Sequence, residues 1–423
     1  MLSYAQLDLV KALLLLHTLK AAPERLELVM KLHRHIIRAI VRTELRIQRL
    51  RRKRQIVSAA PKRQVSKEVA KNRKAKISSL RRREQELTHL LFLWRCFGDG
   101  IAFIYQSKYS LKHLYFDGEY KPKEGAGFMT ENGRLKRGFS PEYRLLISAI
   151  KHNVPVVLSD ITNIVRYGDV CALGGDDPLI IEVKTSGNRN ARTGRQDEQR
   201  RLLAEFYAND GAPEFRGAIN VRREALRLTE VEYGSIANQC IAEALQTSWC
   251  TATPEPGITY MACTTVDDEK FDQLGLGRTT LAVMLSAQSN HLPSYPFTLS
   301  LTPANCLAFI QQRFAFYVFI DMAEVKSAFA RRGVYATVLM DGTSALQITK
   351  TPEDLMLGVF RVSELLFSRI ATEFLSVEWF AEEFSRVFDG EMKTLSAEEA
   401  DSILGLISAV PAGWENVRDC YAE

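Results

Sequence analysis

The chain has 423 residues, more than one hydrophobic core usually serves, so we expect two or three domains. Apolar residues make up 46% of it, an ordinary share for a soluble globular protein, and the seven scattered cysteines form no Cys-x-x-Cys pair. The cysteine pattern argues against a disulfide framework and a zinc knuckle, and no segment approaches the roughly 20 apolar residues that a membrane span needs. We therefore expect a cytoplasmic protein with no membrane partner.

The net charge of +6 conceals a strong asymmetry along the chain. Residues 41–90 hold 17 Lys or Arg and 4 Glu, a balance of +13 that leaves −7 for all other residues. A basic segment attached to a mildly acidic body favours a polyanionic partner, such as nucleic acid.

The first hundred residues have the apolar spacing of long helices. Residues 3–20, 24–54 and 65–95 repeat apolar side chains every three or four positions, which predicts an antiparallel helical hairpin with a basic tip around residues 49–76. Two interpretations of this tip stay open: contact with phosphates, or the solvated surface of a coiled coil. The hairpin also offers a surface for a second copy of the chain or for a partner protein. The candidate phosphate contacts on it are Arg51, Arg52, Lys53 and Arg54.

The body begins near residue 98. Ile101 to Tyr105 is a short apolar run that predicts a strand, and residues 121–138 are rich in Gly, Lys and Glu and predict a loop. Ser140 and Pro141 are a typical N-cap and first residue of a helix, which places Glu142 in its first turn. There the carboxylate of Glu142 favours the positive end of the helix.

The most informative stretch is residues 167–186, YGDVCALGGDDPLIIEVKTS. Val170 to Leu173 and Leu179 to Thr185 predict two strands joined by a Gly-Gly-Asp-Asp-Pro turn. Because side chains alternate along a strand, Glu182 and Lys184 share one face, where a neighbouring strand can bring Asp169 beside them. Two carboxylates and an ammonium group are suited to a magnesium ion with a phosphate or a water.

Asp169 in Gly-Asp-Val, followed by Glu182-Val183-Lys184 on an apolar strand, resembles the PD-(D/E)xK nuclease superfamily over residues 140–208. Glu-x-Lys is common by chance, so its context decides. The resemblance implies a restriction-endonuclease-like α/β fold, with a mixed sheet flanked by helices, and metal-dependent hydrolysis of nucleic acid, above all of DNA by an endonuclease. Defence or mobile-element biology in a prokaryote is the setting expected by analogy.

The resemblance also implies roles for particular residues. Asp169 and Glu182 would bind Mg²⁺ or Mn²⁺, Lys184 would orient or deprotonate the attacking water, and Glu142 would be a third ligand. A glutamine on the following helix would line the site, with Gln196 and Gln199 as equal alternatives. Arginines near the predicted loop 187–194 are candidates for phosphate contact, namely Arg189, Arg192 and Arg195.

Beyond residue 210 the patterns predict a packed α+β region without a second active site. Strands over 215–229 and 257–265 flank a helix over 235–247 and are expected to extend the nuclease sheet, and 304–330 predicts one or two helices. A hairpin over 334–349 turns at Asp341-Gly342, and 353–388 is strongly helical. The predicted domains are a basic arm over 1–97, a nuclease-like domain over 98–290 and an accessory domain over 291–423.

Other catalytic patterns are absent from the sequence. The histidines form neither His-x-x-x-His nor His-Glu-x-x-His, and there is no Gly-x-x-x-x-Gly-Lys-Ser/Thr loop, which argues against a zinc hydrolase and a built-in NTPase. The alternative to a nuclease is a nucleic-acid-binding or scaffolding protein that keeps a nuclease-like fold without catalysis.

Overall fold

A computed structural model describes residues 5–59, 66–115, 127–130, 132–183, 191–215, 218–223, 225–265, 268–287, 297–342, 344–351 and 360–394. By chain contacts it divides into two compact units, Met1–Arg223 with Gln288–Leu299, and Glu224–Ala287 with Ser300–Glu423. This division differs from the three predicted ranges, because one helix continues unbroken past residue 97 and residues 224–287 belong with the C-terminal unit.

Unit 1 begins with the three predicted helices, α1 (Gln6–Ala21), α2 (Leu26–Ala59) and α3 (Lys67–Tyr105). The helices α2 and α3 are antiparallel neighbours: Arg73 donates to the carbonyl of Val57 at 2.7 Å, and Arg51 pairs with Glu84 at 2.6 Å. In α2 the last buried residue is Ile47, and in α3 the first is Leu80. The described parts of the hairpin between these two positions form an arm without buried residues.

The predicted strand over Ile101 to Tyr105 is wrong, because these residues form the last turns of α3. Ile101 and Ala102 are fully buried there, and a short apolar run has the same appearance in a buried helix as in a buried strand. The helix α4 (Lys108–Tyr115) follows.

The next helix and three strands carry the candidate site. They are α5 (Phe139–Lys151), β1 (Val156–Leu158), β2 (Val170–Ala172) and β3 (Leu179–Ile181), with a 3-10 turn over Ser159–Ile161. The strands pair antiparallel in the order β1-β2-β3, and the rows Leu158↔Val170 and Val170↔Ile181 set the register. β1 is completely buried whereas Leu179 on the edge strand β3 is exposed, so the core lies under β1 and β2.

Unit 1 continues with α6 (Ala191–Asn209), β4 (Gly211–Phe215) and β5 (Ala218–Arg222), the two strands forming a separate antiparallel pair. Phe206 of α6 stacks on Phe215 of β4 with ring centroids 4.1 Å apart. At the end of β5, Arg223 is bound by Asp177 and Asp210 and lies over the rings of Tyr109 and Tyr207. These contacts join the β2–β3 turn to α4 and α6.

Unit 2 is built on a four-stranded antiparallel sheet in the order β6-β7-β9-β8. Its first part contains α7 (Gly234–Thr247), β6 (Trp249–Glu255), β7 (Ile258–Cys263), α8 (Asp268–Asp272) and β8 (Thr280–Leu285). The short helix α9 (Phe297–Ser300) belongs to unit 1 except for its last residue, and unit 2 then continues with α10 (Pro303–Ile310), β9 (Ala315–Asp321) and α11 (Met322–Ala330). Of the one or two helices predicted over 304–330, α10 and α11 are present, but the prediction is wrong over β9, whose central position in the sheet favours apolar side chains on both faces.

A second sheet of unit 2, in the order β10-β11-β12, is also antiparallel. It consists of β10 (Tyr335–Val338), β11 (Ser344–Thr349) and β12 (Phe360–Ser363), followed by α12 (Glu364–Phe367), α13 (Arg369–Thr372) and α14 (Val377–Thr394). The hairpin predicted around Asp341-Gly342 is confirmed. Glu383 of α14 is fully buried and accepts hydrogen bonds from the backbone amides of Arg227 and Leu228, which ties the start of the unit to its end.

The structure confirms a mixed α/β chain with an N-terminal helical region. Every described strand pair is antiparallel, so a mixed sheet is not found among the described strands. The predicted extension of the nuclease sheet by residues 257–265 is wrong, because β7 belongs to the sheet of unit 2. One described helix, α3, contains an 18-residue stretch that is apolar enough to cross a bilayer, but 72% of that stretch is buried inside the protein, as in the core helix of a soluble protein.

Candidate active site

Three acidic side chains lie at one end of the β1–β3 sheet. Asp160 follows β1, Asp169 immediately precedes β2, and Glu182 immediately follows β3. The strands alternate in direction, so these three positions fall at the same end of the sheet. The backbone ladder continues one row past the strands there, since Ser159 donates to the carbonyl of Asp169 at 2.9 Å and Asp169 donates to that of Ile181 at 3.0 Å.

The glycine before Asp169 is required by this geometry. Gly168 has a φ of +67°, and a Cβ built on it would lie 2.4 Å from a side-chain carbon of Ile180 and 3.0 Å from the carbonyl oxygen of Ile181. A larger residue would be strained in this left-handed conformation and would collide with β3. The Gly-Asp pair of the sequence thus reflects the close approach of two chain segments at the site.

The carboxylate of Asp169 is directed across the sheet towards the end of β3. Its Oδ2 atom accepts a hydrogen bond from the backbone amide of Val183 at 2.8 Å. Val183 is the residue between Glu182 and Lys184, so this bond fixes Asp169 against the Glu-Val-Lys segment. The two predicted metal ligands, Asp169 and Glu182, therefore belong to one local structure.

Glu142 joins this group from α5, where it lies in the first turn. Partial burial and then the negative charges of Asp169, Asp160 and Glu182 raise the pKa of Glu142 to about 7, although Lys136 opposes the shift. Four carboxyl groups from one helix and three strand ends thus interact electrostatically. Such a concentration of negative charge favours a proton or a cation.

A buried polar cluster from α3 supports the turn that carries Asp160. Asp99, which is 2% exposed, accepts hydrogen bonds from the backbone amides of Asn163 and Ile164 at 2.7 and 3.1 Å and from the Asn163 side chain at 2.8 Å. Arg95, also buried, donates to the carbonyl oxygen of Asp160 at 3.4 Å. The positive charge of Arg95 therefore lies beside Asp160.

The chemistry of the donors suits a hard divalent cation, because all four side chains offer oxygen. Within the described ranges, no group of three or more His, Cys, Asp or Glu side chains is arranged closely enough to hold a metal ion as it stands. Mg²⁺ in phosphoryl-transfer sites commonly takes only one or two carboxylates and completes its shell with water and substrate phosphates. Asp169 and Glu182 supply that number.

Several predicted site residues lie outside the described part of the chain. Lys184 and Arg189 fall in residues 184–190, which are not described. The backbone of α6 contains Gln196 and Gln199 and also Arg192, which the sequence had placed in a loop before the helix. The structure does not describe the side chains of Arg192, Arg195, Gln196 and Gln199.

The structure describes all four basic residues of the arm that were predicted to contact phosphates, and two of them pair with a carboxylate of α3. Arg51, Arg52 and Lys53 are exposed, and Arg54 is partly buried. Arg51 and Arg54 both pair with Glu84 of α3, at 2.6 and 3.4 Å. Half of this predicted set therefore faces the partner helix of the hairpin.

Sequence reasoning missed Asp160, Arg95 and Asp99. An acidic residue two positions after a buried strand was the available signal for Asp160, because site residues often gather where strands end. Arg95 and Asp99 stand four residues apart in an otherwise apolar part of α3, where a charged pair needs a local reason. The pairing of β1 with β2 brings Asp160 to the same end of the sheet as Asp169, and the packing of α3 brings Arg95 and Asp99 to the turn after β1.

Comparison with known proteins does not assign the chain to a family. No family model matches it, and no curated protein or solved structure shows significant similarity to it. The functional conclusion therefore depends on the residues and their geometry.

Proposed function

We propose that this chain is a metal-dependent nuclease of the restriction-endonuclease-like type that hydrolyses phosphodiester bonds in DNA. One observation carries the proposal: Asp169, Glu182 and Glu142, three residues chosen from the sequence pattern, belong to one electrostatically coupled group at a sheet edge. The order of elements around them, a helix with Glu142, three strands and then α6, also supports it.

Hydrolysis of a phosphodiester needs a nucleophilic water, stabilisation of the charge on the transferring phosphoryl group and neutralisation of the leaving oxygen. A Mg²⁺ ion held by Asp169 and Glu182, with Mn²⁺ as a substitute, would lower the pKa of a bound water and polarise the phosphate. Lys184 orients the attacking water or accepts its proton. Glu142, with a pKa of about 7, changes protonation near neutral pH and so suits a role in moving that proton.

The direct test is cleavage of supercoiled plasmid, single-stranded DNA and RNA by the purified chain, with Mg²⁺, Mn²⁺ or EDTA. We expect cleavage of DNA that EDTA abolishes. Asp169→Asn, Glu182→Gln and Lys184→Ala should each lower the rate by at least about 100-fold while nucleic-acid binding persists.

Matched controls come from the same strands and helix. Asp176 is exposed in the turn at the opposite end of β2 and β3, and Lys151 is exposed at the end of α5. Asp176→Asn and Lys151→Ala should retain the parent rate. Equal cleavage by the site variants and these controls would refute the assignment.

Metal binding can be followed without activity. A ligand that binds only the folded state raises the melting temperature, so Mg²⁺ should stabilise the parent chain and the Asp176→Asn variant more than the Glu182→Gln variant. Equal stabilisation of all three would exclude Glu182 as a ligand.

The second candidate, a non-catalytic nucleic-acid-binding or scaffolding protein, is favoured by a different observation. The described arm carries exposed cations on both helices and the exposed apolar side chains Ile56 and Val69, which suit a polyanion and a second protein chain, respectively. Binding of nucleic acid without cleavage under any metal condition would support this candidate. Sedimentation of the full chain would test the homodimer or partner contact expected at the hairpin.

The described cysteines support a reducing cytoplasm as the setting of either function. All six are free and buried.

A further inference from the structure

One face of α2 carries a continuous line of cations that extends well beyond the arm. Its members recur every three or four residues: Lys31, Arg34, Arg38, Arg42, Arg46, Arg49 and Lys53. All seven are exposed. With the helical rise of about 1.5 Å per residue, the line is about 33 Å long. We call these seven residues the α2 basic stripe.

The stripe is held in a fixed direction by the opposite face of the helix. Leu32, Ile36 and Ile40 are fully buried, and Ile47 is nearly so. The one acidic residue between Lys31 and Lys53 is Glu44, whose carboxylate accepts hydrogen bonds from the backbone amides of Phe128 and Met129 at 3.0 to 3.2 Å. The acidic side chain is therefore engaged elsewhere, and the exposed face of this segment is uniformly basic.

The stripe passes beside α5, the helix that carries Glu142. Arg34 donates to the hydroxyl of Tyr143 at 3.2 Å, and Tyr143 is the neighbour of Glu142 in the first turn of α5. Further along, Arg42 pairs with Asp8 of α1 at 2.9 Å but remains 55% exposed. One end of the line thus lies against α5, and the other reaches the arm.

We propose that the α2 basic stripe binds the phosphate backbone of a DNA duplex over about one helical turn and leads it to the Asp169–Glu182 site. Its length of about 33 Å is close to the 34–36 Å of a B-DNA turn. Lys and Arg in such an array replace condensed counterions and contact phosphates without reading the base sequence. This inference rests on the proposed action on nucleic acid and adds the surface that receives the substrate.

An anionic membrane fits this surface less well. A helix that lies on a membrane inserts an apolar face among the lipids. Between Lys31 and Lys53 no large apolar side chain is exposed, and the apolar face of α2 is already covered by the protein core.

The test compares two triple variants of the full chain with the same loss of charge. The stripe variant carries Lys31→Gln, Arg38→Gln and Arg49→Gln. The control variant carries Arg222→Gln, Arg278→Gln and Arg313→Gln, three exposed cations on other parts of the chain. Binding to a labelled duplex of about two helical turns is measured in EDTA between about 50 and 200 mM salt.

Each phosphate contact contributes about 0.9 to the slope of log K against log salt concentration, so the stripe variant should have a slope smaller by about 2 to 3 than the control variant. An Arg38→Lys, Arg49→Lys variant should keep the parent slope, which separates loss of charge from loss of packing. Equal slopes for the stripe and control variants would overturn the inference.

Vesicles of phosphatidylcholine and phosphatidylserine provide the competing partner. If the stripe variant loses vesicle binding while duplex binding is unchanged, the surface binds membranes and the inference is wrong. Because binding is measured in EDTA, a failure of the DNA-binding inference can be distinguished from a failure of the proposed metal-dependent cleavage. A chain that binds through the stripe but cleaves nothing in Mg²⁺ would refute only the proposed catalytic function.

Discussion

At the scale of single residues, Glu142 should make the stability of the protein depend on pH. Its folded-state pKa of about 7 is above the ordinary value of 4.5, so the folded protein retains a proton that the unfolded chain has already released between these pH values. Stability from this group is therefore present at low pH and is lost as the pH rises towards and through 7. Burial raises the pKa of Asp99 to about 7 as well, so the parent chain should show both contributions.

Glu142→Gln isolates the first contribution. We expect the melting temperature of this variant, relative to that of the parent, to be higher at pH 8 than at pH 5, because ionised Glu142 no longer repels Asp169, Asp160 and Glu182. Glu68→Gln, on the exposed arm, is the control and should shift neither value. A parent-to-variant difference that does not change with pH would show that Glu142 is not coupled to the acidic group.

Asp99 is expected to be a stabilising residue of a different kind. Its carboxylate satisfies three N–H donors of Asn163 and Ile164 inside the protein, and an unmet buried donor costs about 1–3 kcal/mol. Asp99→Ala should therefore lower the free energy of unfolding by about 2–4 kcal/mol in urea denaturation. Asp176→Ala at an exposed position should change it by less than about 0.5 kcal/mol. A similarly small effect at Asp99 would contradict the role assigned to this cluster.

At the scale of elements, the contact between α3 and the turn after β1 can be tested with one small substitution. A Cβ on Gly98 would lie 2.0 Å from the carbonyl oxygen of Ile161, so helix and turn must separate to admit it. Although Gly→Ala inside a helix ordinarily stabilises by about 1 kcal/mol, here we expect a loss of about 1–3 kcal/mol. The displaced turn carries Asp160, so the cleavage rate should fall with stability.

Gly194 in α6 provides the matched comparison, because a Cβ there meets no atom within 4 Å. Gly194→Ala should stabilise the chain by up to about 1 kcal/mol. The same chemical change is thus expected to have opposite signs at two helical positions. Thermal and urea unfolding of both variants would check this, and stabilisation by Gly98→Ala would rule out the close packing of α3 on the turn.

Local patterns were sufficient to predict the elements whose apolar spacing is regular. The helices of the hairpin, the helix that carries Glu142 and the strand after the Gly-Gly-Asp-Asp-Pro turn were all found in this way. Buried apolar runs were not assigned correctly: Ile101 to Tyr105 is helical and Ala315 to Asp321 is a strand, because burial on all sides removes the periodicity that distinguishes the two.

The site was predictable only in the part that is close together in sequence. Asp169 and the Glu182 segment are joined by one tight hairpin, so alternation along the strands placed them together. Asp160 depends on the pairing of β1 with β2, and Arg95 and Asp99 depend on the packing of a helix more than sixty residues away in sequence. Such long-range contacts follow from the whole fold and leave little trace in local composition.

At the scale of the whole molecule, the arm supplies the net positive charge of the chain but is expected to contribute little to its stability. Residues 54–77 contain eight Lys or Arg and one Glu, so replacing them with a short glycine-rich connector changes the net charge from +6 to −1. None of the described residues in this range is buried, and Arg51 lies opposite Glu84, just outside it, so the helices can still be joined. We expect unfolding by urea to be nearly unchanged.

Binding to a DNA duplex should respond in the opposite way if the arm contacts phosphates. The shortened chain would lose affinity, and the slope of log K against log salt concentration would decrease by about 0.9 for each lost contact. Replacing residues 54–77 with an uncharged helical segment of equal length is the control that separates charge from reach, and it should lose the same slope. An unchanged slope in the shortened chain would show that the arm is a solvated coiled coil, and phosphate contact would then fall to surfaces outside it.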